Sequence, residues 1–132
     1  MQHNAFRDAM AAGTPDVSLS PVPNWADLTA ADVLNAPIQM LGIDSPITLR
    51  VTTSAMPAWV TVNIYIGTSS NMNVATQYPV VLAVQTNFVV KPGMWVAFSA
   101  ADGGNGATGT IQVMNVSDSN TVLDTINITL TP

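Results

Sequence analysis

A two-residue alternation of apolar and polar side chains between Pro46 and Ile66 constrains this chain more than any other feature. The apolar positions are Ile47, Leu49, Val51, Val60, Val62, Ile64 and Ile66. Because successive side chains of a β-strand point to opposite faces, this period predicts strands with one face against a core. A register shift of one residue would expose Val60, Val62, Ile64 and Ile66 to water. Each exposed side chain would cost roughly 1.5 to 3 kcal/mol of stability. The alternation therefore predicts a sheet whose register is well specified.

The polar half of this alternation consists of Thr, Asn and other neutral side chains with hardly any charge. Charged residues make up 8% of the chain, against roughly 25% in ordinary globular domains. The net charge is -5, and the strong bases are Arg7, Arg50 and Lys91. Because nucleic-acid binding needs clustered bases, and a membrane span needs about 20 apolar residues in a row, we expect neither partner for this chain.

Short strand-like segments separated by turns continue through the rest of the chain. They cover residues 17–20, 37–43, 47–53, 58–66, 80–88, 94–100, 110–116 and 122–130, and the segment 80–88 is one long strand or two short ones broken near Thr86. Turn-forming residues separate them, as at Asp44-Ser45-Pro46 and Lys91-Pro92-Gly93. Residues 25–35 are ambiguous, because Thr29 could cap a short helix there. This pattern predicts an all-β fold, an antiparallel β-sandwich of seven to eight strands.

The first 16 residues differ from everything that follows them. They carry Phe6 and Met10, four positions apart, and lack the continuous apolar stretch of a signal peptide. We expect residues 1–16 to form an N-terminal arm that becomes ordered against another surface, for example a neighbouring subunit. Residues 17–132 then form the sandwich domain.

The residues that usually carry catalysis are scarce. The chain has neither Cys nor Glu, and its one His is His3, within the predicted arm. The Asp residues fall mostly at turns, where they ordinarily hydrogen-bond nearby backbone. The loop Asp102–Gly106 could offer oxygens to Ca²⁺, but it lacks the repeated acids and terminal Glu of an EF-hand loop. We expect no enzymatic activity, no cofactor and no metal site.

The candidate interface residues are the exposed aromatics and the apolar residues of the arm. Trp59 and Tyr65 alternate with the aliphatic row and should face outward. Exposed aromatics suit a protein interface or sugar stacking, unless loops or the N-terminal segment cover them, with Trp25 as a neighbour. With Phe6 and Met10, these three aromatics make up the predicted interface set.

Three stretches resemble Ig-like domains of tailed-phage virion proteins. The string Gly42-Ile43-Asp44-Ser45-Pro46-Ile47-Thr48-Leu49-Arg50-Val51 resembles their early strand pair, and Lys91-Pro92-Gly93-Met94-Trp95-Val96-Ala97-Phe98 resembles their strand entry, with Met94 where Asp is usual. Residues 109–130 resemble their closing hairpin. Together these stretches cover about residues 36–132.

The resemblance implies an Ig-like sandwich in a non-enzymatic structural virion protein. It suggests a capsid decoration or cement protein on the outer shell, with the major capsid protein or other virion subunits as partners and possible self-association. The alternative is a carbohydrate- or protein-binding Ig-like module of a tail or surface protein. The resemblance carries over no catalytic residue.

Overall fold

The structure is a computed structural model that describes residues 14–29 and 33–132. Phe6, Met10 and His3, with almost all of the predicted arm, lie outside the described residues.

Strands and turns make up nearly all of the described chain. The strands are β1 (Val33–Leu34), β2 (Ile38–Gln39), β3 (Ile47–Ser54), β4 (Thr61–Gly67), β5 (Thr76–Val80), β6 (Thr86–Val90), β7 (Trp95–Ala101), β8 (Ala107–Asn115) and β9 (Thr121–Leu130). Two single turns of 3-10 helix, Met72–Val74 and Val116–Asp118, are the helical elements of this part of the chain. The predicted all-β class is confirmed.

The strands form two antiparallel sheets. In the five-stranded sheet, β1 and β2 both pair with β7, followed by β4 and then β5. The four-stranded sheet has the order β6, β3, β8, β9. The pairings of β3 with β6 and of β4 with β7 match the pairing of strand B with E and of strand C with F in an Ig sandwich. The edges are arranged differently from that fold, because the β8–β9 hairpin adjoins β3 while β1 and β2 adjoin β7.

One hydrophobic core lies between the two sheets. The alternating aliphatic side chains of β3 and β4 form its centre, with Leu49, Val51 and Ile64 completely buried. Phe98 of β7 and Ile126 of β9 pack into the same cluster. The prediction from the two-residue period is therefore confirmed for the aliphatic face.

The segment predicted as one or two strands over 80–88 is divided between the two sheets. Strand β5 begins earlier, at Thr76, and ends at Val80, and β6 begins at Thr86. Between them Ala83 takes a φ of 62°, and its N–H donates to Oγ1 of Thr53 at 2.8 Å. Since neither Gly nor Pro occurs in this turn, the apolar alternation runs through it without a sequence signal.

The residues from Asp16 to Leu28 pack against the sandwich without forming a regular strand. The predicted strand at 17–20 is absent, although Leu19 is buried. Residues 25–29 are not helical, because Leu28 makes a parallel bridge to Ile128 of β9. Residues 30–32, which would complete the helix proposed after Thr29, lie outside the described residues.

Candidate docking surfaces

On the outer side of the five-stranded sheet, uncharged residues of the described chain form a surface that is here called the neutral face. It surrounds a shallow depression of about 400 Å³ lined by Leu34, Thr61, Asn63, Tyr65, Gln77, Ser99, Ala100 and Ala101. None of these is Asp, Lys or Arg, in a chain whose net charge is -5.

Strand pairing brings the polar residues of the neutral face together. The register places Asn63 opposite Ser99 and Tyr65 opposite Gln77, so that residues from three strands point the same way. The hydroxyl of Ser99 lies 3.2 Å from the Tyr65 hydroxyl and donates a hydrogen bond to it. This bond fixes the Tyr65 ring, which lies half-buried on the outer side of the sheet, as the alternation predicts.

Trp59 is not among the residues that line the depression of the neutral face. It occupies the turn before β4 rather than a strand, and the residue is 53% exposed. Its indole N–H donates to the carbonyl oxygen of Gly106 at 3.0 Å. Since this bond holds the edge of the ring, Trp59 presents a fixed aromatic surface at the loop end of the sandwich.

The structure corrects the placement of Trp25 among the candidate surface residues. Only 2% of Trp25 is exposed, and its ring meets Phe98 edge-on with centroids 5.2 Å apart. The indole N–H donates to the carbonyl oxygen of Val96 at 2.8 Å. Trp25 is therefore a core residue that offers almost no surface to a partner.

A second depression, here called the lateral groove, lies between β5 and β6. It has a volume of about 320 Å³ and is lined by Ile66, Tyr78, Asn87, Phe88 and Val89. The rings of Tyr78 and Phe88 lie 5.7 Å apart in a tilted arrangement. Sequence reasoning missed this groove, because it requires the edges of two different sheets to meet.

The carboxylates that could suggest metal chemistry are engaged with backbone. Asp102 is fully buried, and its two oxygens accept hydrogen bonds from the N–H groups of Gly104 and Gly106, at 2.9 and 2.8 Å. Asp44 and Asp124 likewise accept backbone N–H groups. Over residues 14–29 and 33–132, no three His, Cys, Asp or Glu side chains form a group that could hold a metal ion.

No protein-family model and no curated protein matches this chain. In the described part of the chain, no helix has the length and apolar character needed to span a bilayer. The candidate surfaces present neutral hydrogen-bonding groups, fixed aromatic rings and an apolar groove.

Proposed function

We propose that this chain is a non-enzymatic binding subunit of a phage particle, a capsid decoration or cement protein that docks on the outer shell through its neutral face. The observation that carries the proposal is that none of the described residues lining the depression on the five-stranded sheet is charged. The resemblance to Ig-like virion domains supports the choice of the major capsid protein as partner and of the capsid surface as location.

An uncharged polar face is well suited to being covered by another protein. Burying a charged group that lacks a partner is costly, whereas neutral amides and hydroxyls can exchange water for partner hydrogen bonds at a smaller cost. Asn63 and Gln77 offer both donors and acceptors, and Tyr65 adds a ring of the kind enriched in interface cores. Because Tyr65 is already held by Ser99, little side-chain freedom remains to be lost on docking.

The proposal is tested with two matched substitutions that add the same charge to different sheets. Gln77→Arg places a cation on the neutral face, and Thr125→Arg places one on the outer side of the four-stranded sheet; both positions are exposed strand residues. We expect Gln77→Arg to lower the amount of protein bound to purified capsids at least about tenfold, since an unpaired interfacial charge costs several kcal/mol. Thr125→Arg should bind like the wild type.

Quantitative mass spectrometry of purified particles measures how many copies of the chain each capsid carries. A fixed copy number per capsid supports the proposal. If the chain is missing from particles, the decoration function is refuted. If the two Arg variants bind capsids equally well, docking through the neutral face is refuted.

A second candidate function rests on the exposed ring of Trp59. A fixed, half-exposed indole is the kind of platform on which a sugar ring stacks, which would make the chain a glycan-binding module. This alternative predicts that the isolated protein is retained on a glycan column and that Trp59→Ala abolishes retention. Retention that survives Trp59→Ala would exclude this site as its cause.

A further inference from the structure

Strand β6 is the least protected edge of the described sandwich. The edge of β7 is paired with the two-residue strands β1 and β2, and β5 carries Pro79, which has no N–H to offer to another strand. On the outer side of β9, the backbone of Leu28 accepts a hydrogen bond from Thr129 and donates one to Asn127, at 2.8 and 3.0 Å. Strand β6 contains neither Pro nor a charged residue, and among the described residues no strand pairs with its outer side.

The hydrogen bonds of β3 indicate which backbone groups of β6 point to this open side. Successive residues of an antiparallel strand direct their N–H and C=O groups alternately to its two neighbours, which for β3 are β6 and β8. The N–H of Thr48 donates to Oγ of Ser117, directly after β8, so Thr48 faces β8. The next residue, Leu49, then faces β6, where it pairs with Phe88. The backbone of Phe88 therefore faces β3, and the N–H and C=O groups of both its neighbours point outward.

These two neighbours, Asn87 and Val89, make the edge of β6 complementary to itself. A two-fold axis beside Phe88 would place Asn87 of one copy opposite Val89 of the other, and the same pair would recur on the other side of the axis. An antiparallel pair of this kind exchanges both of its N–H···O=C bonds. Every outward backbone group of the two residues would then be paired in both copies.

The absence of charge on β6 and in the lateral groove favours a second copy of this chain as the partner. A two-fold interface sets each patch against an identical patch, so that a charged residue near the axis meets a like charge. The chain carries eight Asp and a net charge of -5, yet no residue of β6 and none of the described residues lining the groove is charged. Such a patch can face its own copy without electrostatic repulsion.

Arg50 is the charged residue that contacts β6, and it remains far from its counterpart in this arrangement. Its Nε donates to Oδ1 of Asn87 at 3.2 Å, but the residue itself lies on β3. In a two-fold pairing of β6 with β6, the two Arg50 residues are three strand spacings apart, about 14 Å. This separation exceeds the Debye length of about 8 Å at physiological ionic strength.

The lateral groove adds apolar surface beside the same edge. Val89 is 65% exposed and Tyr78 is 40% exposed, and both line the groove with Phe88. The contact patch consists of the five residues of β6 and two further groove residues, Ile66 and Tyr78. Since a standard interface has about 20 to 30 residues a side, a patch of this size predicts weak association, with a Kd of roughly 10 to 500 μM.

We propose that two copies of this chain associate through β6, antiparallel and about a two-fold axis beside Phe88. The four-stranded sheets of both copies then form one continuous sheet, and the two lateral grooves face each other across the junction. The inference does not depend on the capsid proposal. The neutral face belongs to the other sheet, and it stays accessible on both copies.

Disulfide formation between two single-cysteine variants tests the register, because the chain has no Cys of its own. In an equimolar mixture of Asn87→Cys and Val89→Cys, the proposed pairing places the two different sites about 5.5 Å apart between Cα atoms. A disulfide spans about 4.4 to 6.8 Å between Cα atoms, so this crossed pair can be bridged. Two copies of the same site are displaced by two residues along the strand and lie roughly 9 Å apart.

We expect the crossed disulfide to form at least about tenfold faster than either disulfide between identical sites, since only the crossed pair lies within bridging distance. Equal rates for the three disulfides, or a faster disulfide between identical sites, would overturn the proposed register and with it the proposal.

Sedimentation equilibrium over a range of protein concentrations measures the association without any cysteine. Val89→Lys and Val122→Lys make the same replacement at exposed positions on opposite edges of the four-stranded sheet, β6 and β9. Both change the net charge equally. We expect Val89→Lys to raise the dimer Kd at least about tenfold, because it brings two cations together near the axis, whereas Val122→Lys should behave like the wild type.

Far-UV circular dichroism of both variants establishes that they are folded. A wild-type chain that remains monomeric up to about 1 mM, well above the expected Kd, would overturn the proposal. Equal Kd values for Val89→Lys and the wild type, or a dimer that only Val122→Lys weakens, would show that the copies do not meet through β6 and would overturn it as well.

Discussion

At the scale of single residues, buried amides take the structural place that ion pairs often have in other proteins. Asn35 is 4% exposed; its amide donates to the carbonyl oxygen of Ala26, and its side-chain oxygen accepts the N–H of Phe98 at 2.8 Å. Asn115 is fully buried and donates to Val17, although its oxygen has no hydrogen-bond partner among the described residues. These amides attach irregular segments to the sheets without requiring a charge to be buried.

Gly42 shows how one backbone position fixes the N-terminal segment. It has a φ of +86°, and a Cβ atom there would lie 2.7 Å from the backbone nitrogen of Ser20. Gly104 has a nearly identical φ of +85°, but a Cβ atom there would meet nothing within 4 Å. The two glycines therefore share the conformational requirement and differ only in the close contact.

We predict that Gly42→Ala destabilises the protein more than Gly104→Ala does. The left-handed conformation costs a non-glycine residue about 1 to 2 kcal/mol at either site. Gly42→Ala should lose about 1 to 3 kcal/mol more, because the new methyl group forces backbone apart, as in overpacked cores. Urea denaturation of the two variants measures the difference, and equal losses would show that the approach of Ser20 to Gly42 contributes nothing.

At the scale of elements, a β-bulge changes which side of β9 faces the core. Val113 pairs with Asp124 and the next residue, Met114, pairs with Val122, so Leu123 has no residue opposite it on β8. Further along β9 the inward residues are Ile126, Ile128 and Leu130, and uninterrupted alternation would put Val122 in the core. The bulge instead turns Leu123 inward and leaves Val122 exposed.

Because the bulge turns Leu123 inward and leaves Val122 exposed, we predict that truncating these two neighbours affects stability differently. Leu123→Ala should reduce the free energy of unfolding by about 2 to 5 kcal/mol, since it removes a buried side chain and leaves a cavity. Val122→Ala should change it by no more than about 0.5 kcal/mol, as expected for an exposed site. Equilibrium unfolding in urea compares the two directly. A larger effect at Val122 would mean that β9 continues its alternation without the bulge.

At the scale of the whole molecule, the two sheets and the irregular N-terminal segment share one core. The buried cluster contains Leu49 from one sheet, Ile64 from the other, and Trp25 from the segment that precedes both. Because each part buries its apolar surface only against the others, none of them has a separate core. The described domain should therefore unfold as a single cooperative unit.

Fluorescence of Trp25 tests this cooperativity. The chain has three tryptophans, so the double variant Trp59→Phe, Trp95→Phe leaves Trp25 as its only indole. We predict that its fluorescence transition in urea coincides with the far-UV circular dichroism transition of the same variant, because Trp25 reports on the core that holds the sheets together. A fluorescence midpoint at lower urea than the circular dichroism midpoint would show that the N-terminal segment detaches before the sheets unfold.

The amino-acid sequence by itself determined which side of each main strand faces the core. Side-chain direction in a strand depends only on the two-residue period, so the aliphatic rows of β3 and β4 and the outward position of Tyr65 could be read directly. The turn residues likewise separated β3 from its neighbours and β7 from β6. These are local properties, and local chain geometry is sufficient to specify them.

Only the tertiary structure decided which strands are neighbours and what covers each surface. The assignment of β5 and β6 to different sheets, the burial of Trp25 and the lateral groove all depend on contacts between residues far apart in sequence. A periodic pattern reports the two sides of its own strand but carries no information about the strand that will lie beside it. The aliphatic half of the alternation therefore specified a sandwich, while the docking surfaces arose where two sheets, their edges and the N-terminal segment came together.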